Sequence, residues 1–204
     1  MAITINGTGT ITGISAGGLP DGVITSDDLA SGAITSAGLP AGSIIGVYQD
    51  KFESREVLSV ANGNSSTNPT WTDSSLDLTI SPVSAGSNFI VIADIKASAT
   101  FNYTWRIYDV TASSIIYGVK VGSYRHAASG ALVSGNGTGG NKHAAATSVV
   151  YYNPASNASS RQFKIQFLGT SASGSVNLGG TTAINDSAFN TNAPCSLTVL
   201  EVAV

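Results

Sequence analysis

The sequence predicts an all-β chain in two parts, a short fibrous N-terminal repeat stalk followed by an antiparallel, jelly-roll-like β-sandwich head. Three observations carry that reading. Only 10% of the 204 residues are charged, against about 25% in an ordinary domain, while Ser, Thr, Asn and Gly together make 86 of them. Helix formers of the Glu/Lys/Arg/Gln kind are correspondingly scarce, which disfavours a helical bundle or an α/β enzyme with charged outer helices. From Tyr48 onward the apolar runs are short and punctuated by Gly, Pro, Asn and Ser. Before Gly46 there is no aromatic residue, no Lys and no Arg, and that segment has a period of its own.

The period defines the stalk, residues 14–46. Ile14, Ile24, Ile34 and Ile44 recur every ten residues, and Leu19, Leu29 and Leu39 fall midway. One large aliphatic every five positions matches neither the helical period of 3.6 nor the strand period of 2. It reads as a repeated extended-and-turn unit, with Gly18, Gly22, Gly32, Gly38, Gly42, Pro20 and Pro40 at the bends. Such a strip has nothing in its own chain to pack against, so these seven aliphatics are the candidate seam between identical chains wound about one axis. The alternative is a Gly/Ser linker without order.

The head, residues 47–204, reads as a strand array. Strands are expected at Glu56–Val60, Leu76–Ile80, Asn88–Lys96, Tyr103–Val110, Ser114–Val121, Thr147–Tyr152, Arg161–Leu168, Gly174–Leu178 and Ser196–Ala203. Phe101, Tyr103, Trp105 and Ile107 share one face, opposite Asn102, Thr104 and Arg106; Phe163, Ile165 and Phe167 oppose Gln162, Lys164 and Gln166. Two other strands are apolar on both faces. In one, Phe89, Val91 and Ala93 oppose Ile90 and Ile92; in the other, Leu197, Val199 and Ala203 oppose Thr198, Leu200, Val202 and Val204. In an antiparallel protein the second apolar face needs a cover, either a loop or a neighbouring subunit. With a stalk on the axis, a homotrimer is expected.

Composition also bounds the partners. A net charge of −3 and pI near 5.1 offer no basic field, so no nucleic-acid partner is expected. No apolar run approaches the ~20 residues of a membrane span, and the start MAITINGTGT has no signal-peptide pattern, so no membrane insertion is expected. The lone Cys195 cannot close an intrachain disulfide.

The start MAITINGTGTITGISAGGLPDGVIT, the spaced Ile/Leu repeat and PAGSIIGVYQ resemble the N-terminal stalks of phage virion fibres, especially those of marine and cyanobacterial phages. The stretches ASSRQFKIQFLGTSASGSVNLGG and SLTVLEVAV resemble the closing strands of their trimeric β-sandwich heads, of the C1q and tumour-necrosis-factor kind. Residues 50–160 match only in texture. The resemblance implies a short tail fibre or head fibre made in the host cytoplasm and exposed on the virion. Residues 1–13 would attach to another virion protein, and the head would bind a host surface glycan or protein. A capsid decoration or connector trimer with a purely structural role is the competing expectation.

No catalytic set stands out, and no enzyme activity, cofactor or metal is expected. His126 and His143 fit no zinc spacing, and the His-x-His pair through which some phage fibres hold an axial ion is absent. Asp27 and Asp28 sit in the stalk; Asp94 and Asp109 lie on strands, where surface pairing with Lys96 or Arg106 is the simpler role than a glycosidase pair. GTGTITG and GNGTGG lack a phosphate-loop lysine. The receptor-binding candidates are Tyr124, Arg125, His126, Asn136, Asn141, Lys142 and His143, in the long excursion between Val121 and Ser148. Tyr, Asn and Arg suit polar, sugar-like surfaces, and glycines allow close approach. A second polar loop, Gly179–Pro194, carries Asn185, Asp186, Phe189, Asn190 and Asn192.

The repeat makes a direct prediction. Replacing Ile24 and Ile34 together by Ser should loosen the stalk and leave the head folded. Limited proteolysis should then cut within residues 14–46 faster than in the parent, while the head fragment survives unchanged.

Overall fold

A computed structural model describes residues 38–63, 69–116, 142–154, 160–170, 172–180 and 193–204, with the backbone alone at 4–5, 11–12 and 142–144. The chain divides into two units, Met1–Leu39 and Pro40–Val204. In the first, β1 (Thr4–Ile5) pairs antiparallel with β2 (Ile11–Thr12), Ile5 opposite Ile11. Ile14, Leu19, Ile24, Leu29 and Ile34 lie outside the described residues.

The second unit is built from β3 (Ile44–Phe52), β4 (Glu56–Val60), β5 (Thr72–Ile80), β6 (Asn88–Ala99), β7 (Tyr103–Asp109), β8 (Ser114–Ile115), β9 (Lys142–Tyr152), β10 (Arg161–Gly169), β11 (Gly174–Leu178) and β12 (Cys195–Val202). Among the described residues there is no α-helix. One sheet has the order β5-β10-β7-β8. In the other, β6 pairs with β9 along one edge, and its other edge pairs first with β12, which carries β3, and then with β11, which carries β4. All of these strand pairings are antiparallel.

Alternation explains how the sheets stack. Tyr103, Trp105 and Ile107 of β7 and Phe163, Ile165 and Phe167 of β10 are buried, as their spacing predicts, and Phe101 joins them in one core. Across the gap, β6 contributes Phe89, Val91, Ala93, Ile95, Ala97 and Ala99, and β12 contributes Leu197 and Val199. The sheets meet edge to face at Phe89 and Phe163, whose ring centroids are 6.0 Å apart. Alanines at 93, 97 and 99 leave room for the large rings of β7. The Tyr103 hydroxyl reaches across the sandwich to donate to the Ala97 carbonyl at 2.7 Å, and burial pushes that hydroxyl far above its ordinary titration range. Where β5 and β10 slip register between Lys164 and Gln166, the Ser74 hydroxyl donates to the Ile165 carbonyl at 2.9 Å.

Five strands extend beyond their sequence-predicted bounds: β5 starts at Thr72, β6 runs on to Ala99, β9 starts at Lys142, β10 ends at Gly169 and β12 starts at Cys195. Strand β3 has no counterpart in the sequence reading. Its first residue, Ile44, is the last of the five-residue repeat, yet it is paired with Val202 in the sheet. Residues 117–121 of the expected Ser114–Val121 strand lie outside the described residues.

Two buried carboxylates tie the sandwich ends. Asp109 does not pair with Arg106 on the surface; it is fully buried, paired with buried Arg161, and accepts from the Tyr152 hydroxyl at 2.8 Å and the Ala112 amide at 2.9 Å. The reason is parity: Asp109 falls on the same side of β7 as Trp105 and Ile107, so its charge faces inward and needs a buried cation. Glu201 likewise alternates with Val199 and Leu197 and is fully buried. Its carboxylate accepts from the Val83 amide (2.9 Å), the Ser84 amide (3.0 Å), the Ser87 hydroxyl (2.6 Å) and the Tyr48 hydroxyl (3.0 Å), clamping the β5–β6 loop and β3 onto β12. Gly46, opposite Glu201 in β3, makes room: an added Cβ would stand 2.9 Å from Tyr48's ring.

Burial acts to raise the Glu201 carboxyl, but the hydrogen bonds from Ser87, Val83, Ser84 and Tyr48 outweigh it and hold the group below its ordinary value. A depressed folded-state pKa contributes stability above the unfolded-state value, and that contribution is lost as pH falls through the folded one. Glu201→Ala should cost about 2–4 kcal/mol in urea denaturation at neutral pH, by removing the acceptor shared by the Val83 and Ser84 amides and the Ser87 hydroxyl, while Tyr48 keeps the Ser81 carbonyl. Glu201→Gln should lose less and should flatten the fall in stability on acidification.

Candidate functional site

The outward faces of the two sheets differ in kind. On the larger sheet, register sets Val47 of β3, Leu200 of β12, Ile90 of β6 and Tyr151 of β9 in one row. The next outward row is Gln49, Thr198, Ile92 and Val149. Val47, Val149 and Tyr151 are 68%, 64% and 61% exposed, and Leu200, Ile90 and Ile92 are half-buried. Six apolar side chains thus adjoin on the outside of one sheet, with Gln49 and Thr198 beside them. Along the same face the rows turn polar, through Lys51, Ser196, Asp94 and Thr147. There Lys96 and Asp94 form the expected surface ion pair, and the Thr147 hydroxyl donates to Asp94 at 3.2 Å.

The smaller sheet presents a different outer face. Its central row is Asp73 of β5, Gln166 of β10 and Arg106 of β7. The Arg106 guanidinium lies 4.1 Å from the Trp71 ring centroid and 4.8 Å from that of Tyr108. Its Nε donates to Gln166 Oε1 at 2.7 Å; Gln166 Nε2 donates to Asp73 at 2.6 Å; Lys164 Nζ donates to the other Asp73 oxygen at 2.9 Å. One chain of contacts therefore links Trp71 and Tyr108 to Lys164. Burial pushes the Arg106 guanidinium down to about 10, which leaves it cationic at neutral pH. Burial acts to raise the Asp73 carboxyl, but hydrogen bonds from Gln166 and Lys164 and nearby Arg106 hold it below its ordinary value.

Among the described residues, no group of three or more His, Cys, Asp or Glu side chains could hold a metal ion. The Cys195 thiol is buried between the Lys96 amide and carbonyl, and burial pushes it up.

Of the sequence-derived candidates, Tyr124, Arg125, His126, Asn136 and Asn141 lie outside the described residues, as do Asn185, Asp186, Phe189, Asn190 and Asn192. Lys142 and His143 open β9, with backbones opposite Ala99 and Ser98. Leu39 and Ile44 are 37% and 46% exposed. The cluster that sequence reasoning passed over is Trp71, Asp73, Arg106, Tyr108, Lys164 and Gln166. Its signal was half present: Arg106 and the Gln162/Lys164/Gln166 series stand on the polar sides of two alternating strands. What was missing was the pairing of β7 with β10 that makes those sides neighbours.

No protein-family model matches the chain, and no curated protein matches it in sequence.

Proposed function

We propose that this chain is a phage virion fibre protein that forms a homotrimer, docks on another virion protein through its N-terminal segment, and binds the host cell surface through its head. The reading is of a structural and binding protein, and no reaction is assigned to it. The observation that carries it is the apolar outer face of the larger sheet. A patch formed by Val47, Leu200, Ile90, Ile92, Val149 and Tyr151 is costly in water and is the kind of surface that identical chains bury against one another. The aliphatic repeat that precedes the head gives those chains a second place to meet. The strand orders β5-β10-β7-β8 and β3-β12-β6-β9 support a jelly roll of the C1q and tumour-necrosis-factor kind, in line with the resemblance of the N- and C-terminal stretches to fibre stalks and heads. Three equivalent weak sites per fibre, multiplied over a particle, would bind a host by avidity.

Self-association is tested by charging the face. Val149→Asp with Tyr151→Asp should shift the purified chain from trimer toward monomer in sedimentation velocity, without loss of its β circular dichroism. A parent chain that sediments as a folded monomer would sink the trimer. Labelled antibody against the head, imaged on intact virions, reports tail or capsid attachment; uniform capsid decoration with unaltered adsorption after head removal would favour a purely structural trimer. Deleting residues 122–146 should reduce adsorption if that excursion supplies the receptor surface, and unchanged adsorption excludes it.

A further inference from the structure

The polar face of the smaller sheet is a built surface rather than a collection of solvated side chains. In an ordinary solvated strand face, long side chains keep their rotamer freedom, and ordering each on binding costs free energy. Here Arg106 is stacked with two rings and bonded to Gln166, Gln166 is bonded to Asp73, and Asp73 is bonded to Lys164. Gln166 is buried although it is polar and on the outward side, which fixes the middle of the row. Much of the ordering cost is therefore already met in the free head.

The groups that remain available are of a particular kind. Among the described residues no hydrogen bond reaches the two terminal amines of Arg106. The Asp73 side chain is 45% exposed and retains acceptor capacity beyond its two bonds. Trp71 and Tyr108 are half-buried. A planar donor pair, a carboxylate acceptor and the ring surface of Trp71 and Tyr108 that Arg106 does not cover together match the vicinal hydroxyls and the C–H face of a pyranose. Charge decides which pyranose. Arg106 and Lys164 are balanced by Asp73 and by Asp77, which stands opposite Lys164 in the register. Asp50 and Glu56 add carboxylates at the β5 edge, where they accept from the Asp77 and Ser75 amides, so the surroundings of the row repel a carboxylated or sulfated sugar.

We propose that Trp71, Asp73, Arg106 and Tyr108 form a binding platform for an uncharged hexose of a host surface glycan. The inference rests on the reading of the head as a host-binding module and names a face and a ligand class for it. The platform lies on the sheet opposite the apolar face, so trimer formation through that face leaves three copies outward.

The experiment uses the full-length chain and saturation-transfer-difference NMR with the methyl glycosides of glucose, galactose and mannose, and glucuronic acid as the charged comparator. Saturation transfer is expected to at least one neutral hexoside. It should vanish in Trp71→Ala, and binding should weaken about tenfold in Arg106→Lys, which keeps the charge but loses the planar fork and the stack. Asp73→Asn removes one carboxylate from the row and should raise transfer to glucuronic acid relative to the parent, a gain that a misfolded variant would not show. Absence of transfer to all three hexosides, full transfer in Trp71→Ala, or preference of the parent for glucuronic acid would overturn the proposal. Adsorption of the labelled chain to host cells separates the two readings. Equal adsorption by the parent and by Trp71→Ala removes the platform as the receptor face while host binding by the head stands. Hexoside binding without any adsorption leaves the sugar site standing and removes the host-binding role.

Discussion

Strand β6 is used on every side that a strand possesses. Over its twelve residues its backbone pairs with β9 along one edge, and with β12 and then β11 along the other. Its inward side chains, from Phe89 to Ala99, line the core, and its outward Ile90 and Ile92 sit within the apolar exterior patch. A strand so placed is shielded from the edge-to-edge pairing that exposed strands risk. The same placement requires apolar side chains on both faces, because the outer face is bordered by Val149, Tyr151, Leu200 and Val47 rather than by a loop of the described head. The register of β9, β12 and β11 is read off β6, so displacing β6 by one residue would turn Phe89, Val91 and Ile95 to the outside and undo both layers at once.

Charge is placed with the same economy. Nine basic and twelve acidic residues serve the whole chain, yet two of the acids, Asp109 and Glu201, are fully buried. Each secures an end of the sandwich where strands give way to loops. Asp109 joins β7, β9 and β10 through Tyr152 and Arg161, and the Arg161 guanidinium also lies near the rings of Phe89 and Tyr152. Glu201 gathers the β5–β6 loop through two amides and a hydroxyl. A hydrophobic residue in either position would take away a charge-assisted acceptor that several donors share, so the burial cost of the carboxylate is offset by those bonds.

How much of this was legible in the sequence follows from what each signal measures. Alternation in Phe101–Ile107 and Phe163–Phe167 gives the core face directly, because period 2 is a property of the single strand. The boundaries of β4 and β11 were read to the residue, since Gly174 and the polar segments around Glu56–Val60 interrupt the pattern sharply. Strand β3 was invisible for the opposite reason. IIGVYQDKF alternates poorly, and its first residues belong by spacing to the aliphatic repeat; its strand character comes from pairing with β12. The partner of Asp109 was misassigned although its parity with Trp105 and Ile107 was legible; what a single strand does not show is that Arg161 of β10 is buried beside it. The Trp71–Arg106–Gln166–Asp73 row was half visible for a related reason: each strand displayed its polar side, but only the β5-β10-β7 order brings three polar sides into line.

The two outer faces then bear on function in complementary ways. Six adjoining apolar side chains on one sheet favour burial against a partner, because water gains by their removal whichever chain covers them. The other face offers no such gain: Arg106, Asp73, Lys164 and Gln166 are already bonded to one another, and covering them with an apolar surface would forfeit hydration without return. The sugar proposed for that face would replace water with hydroxyls. On the proposed reading the head would separate assembly from recognition by sheet, with the apolar sheet as the one that assembly hides.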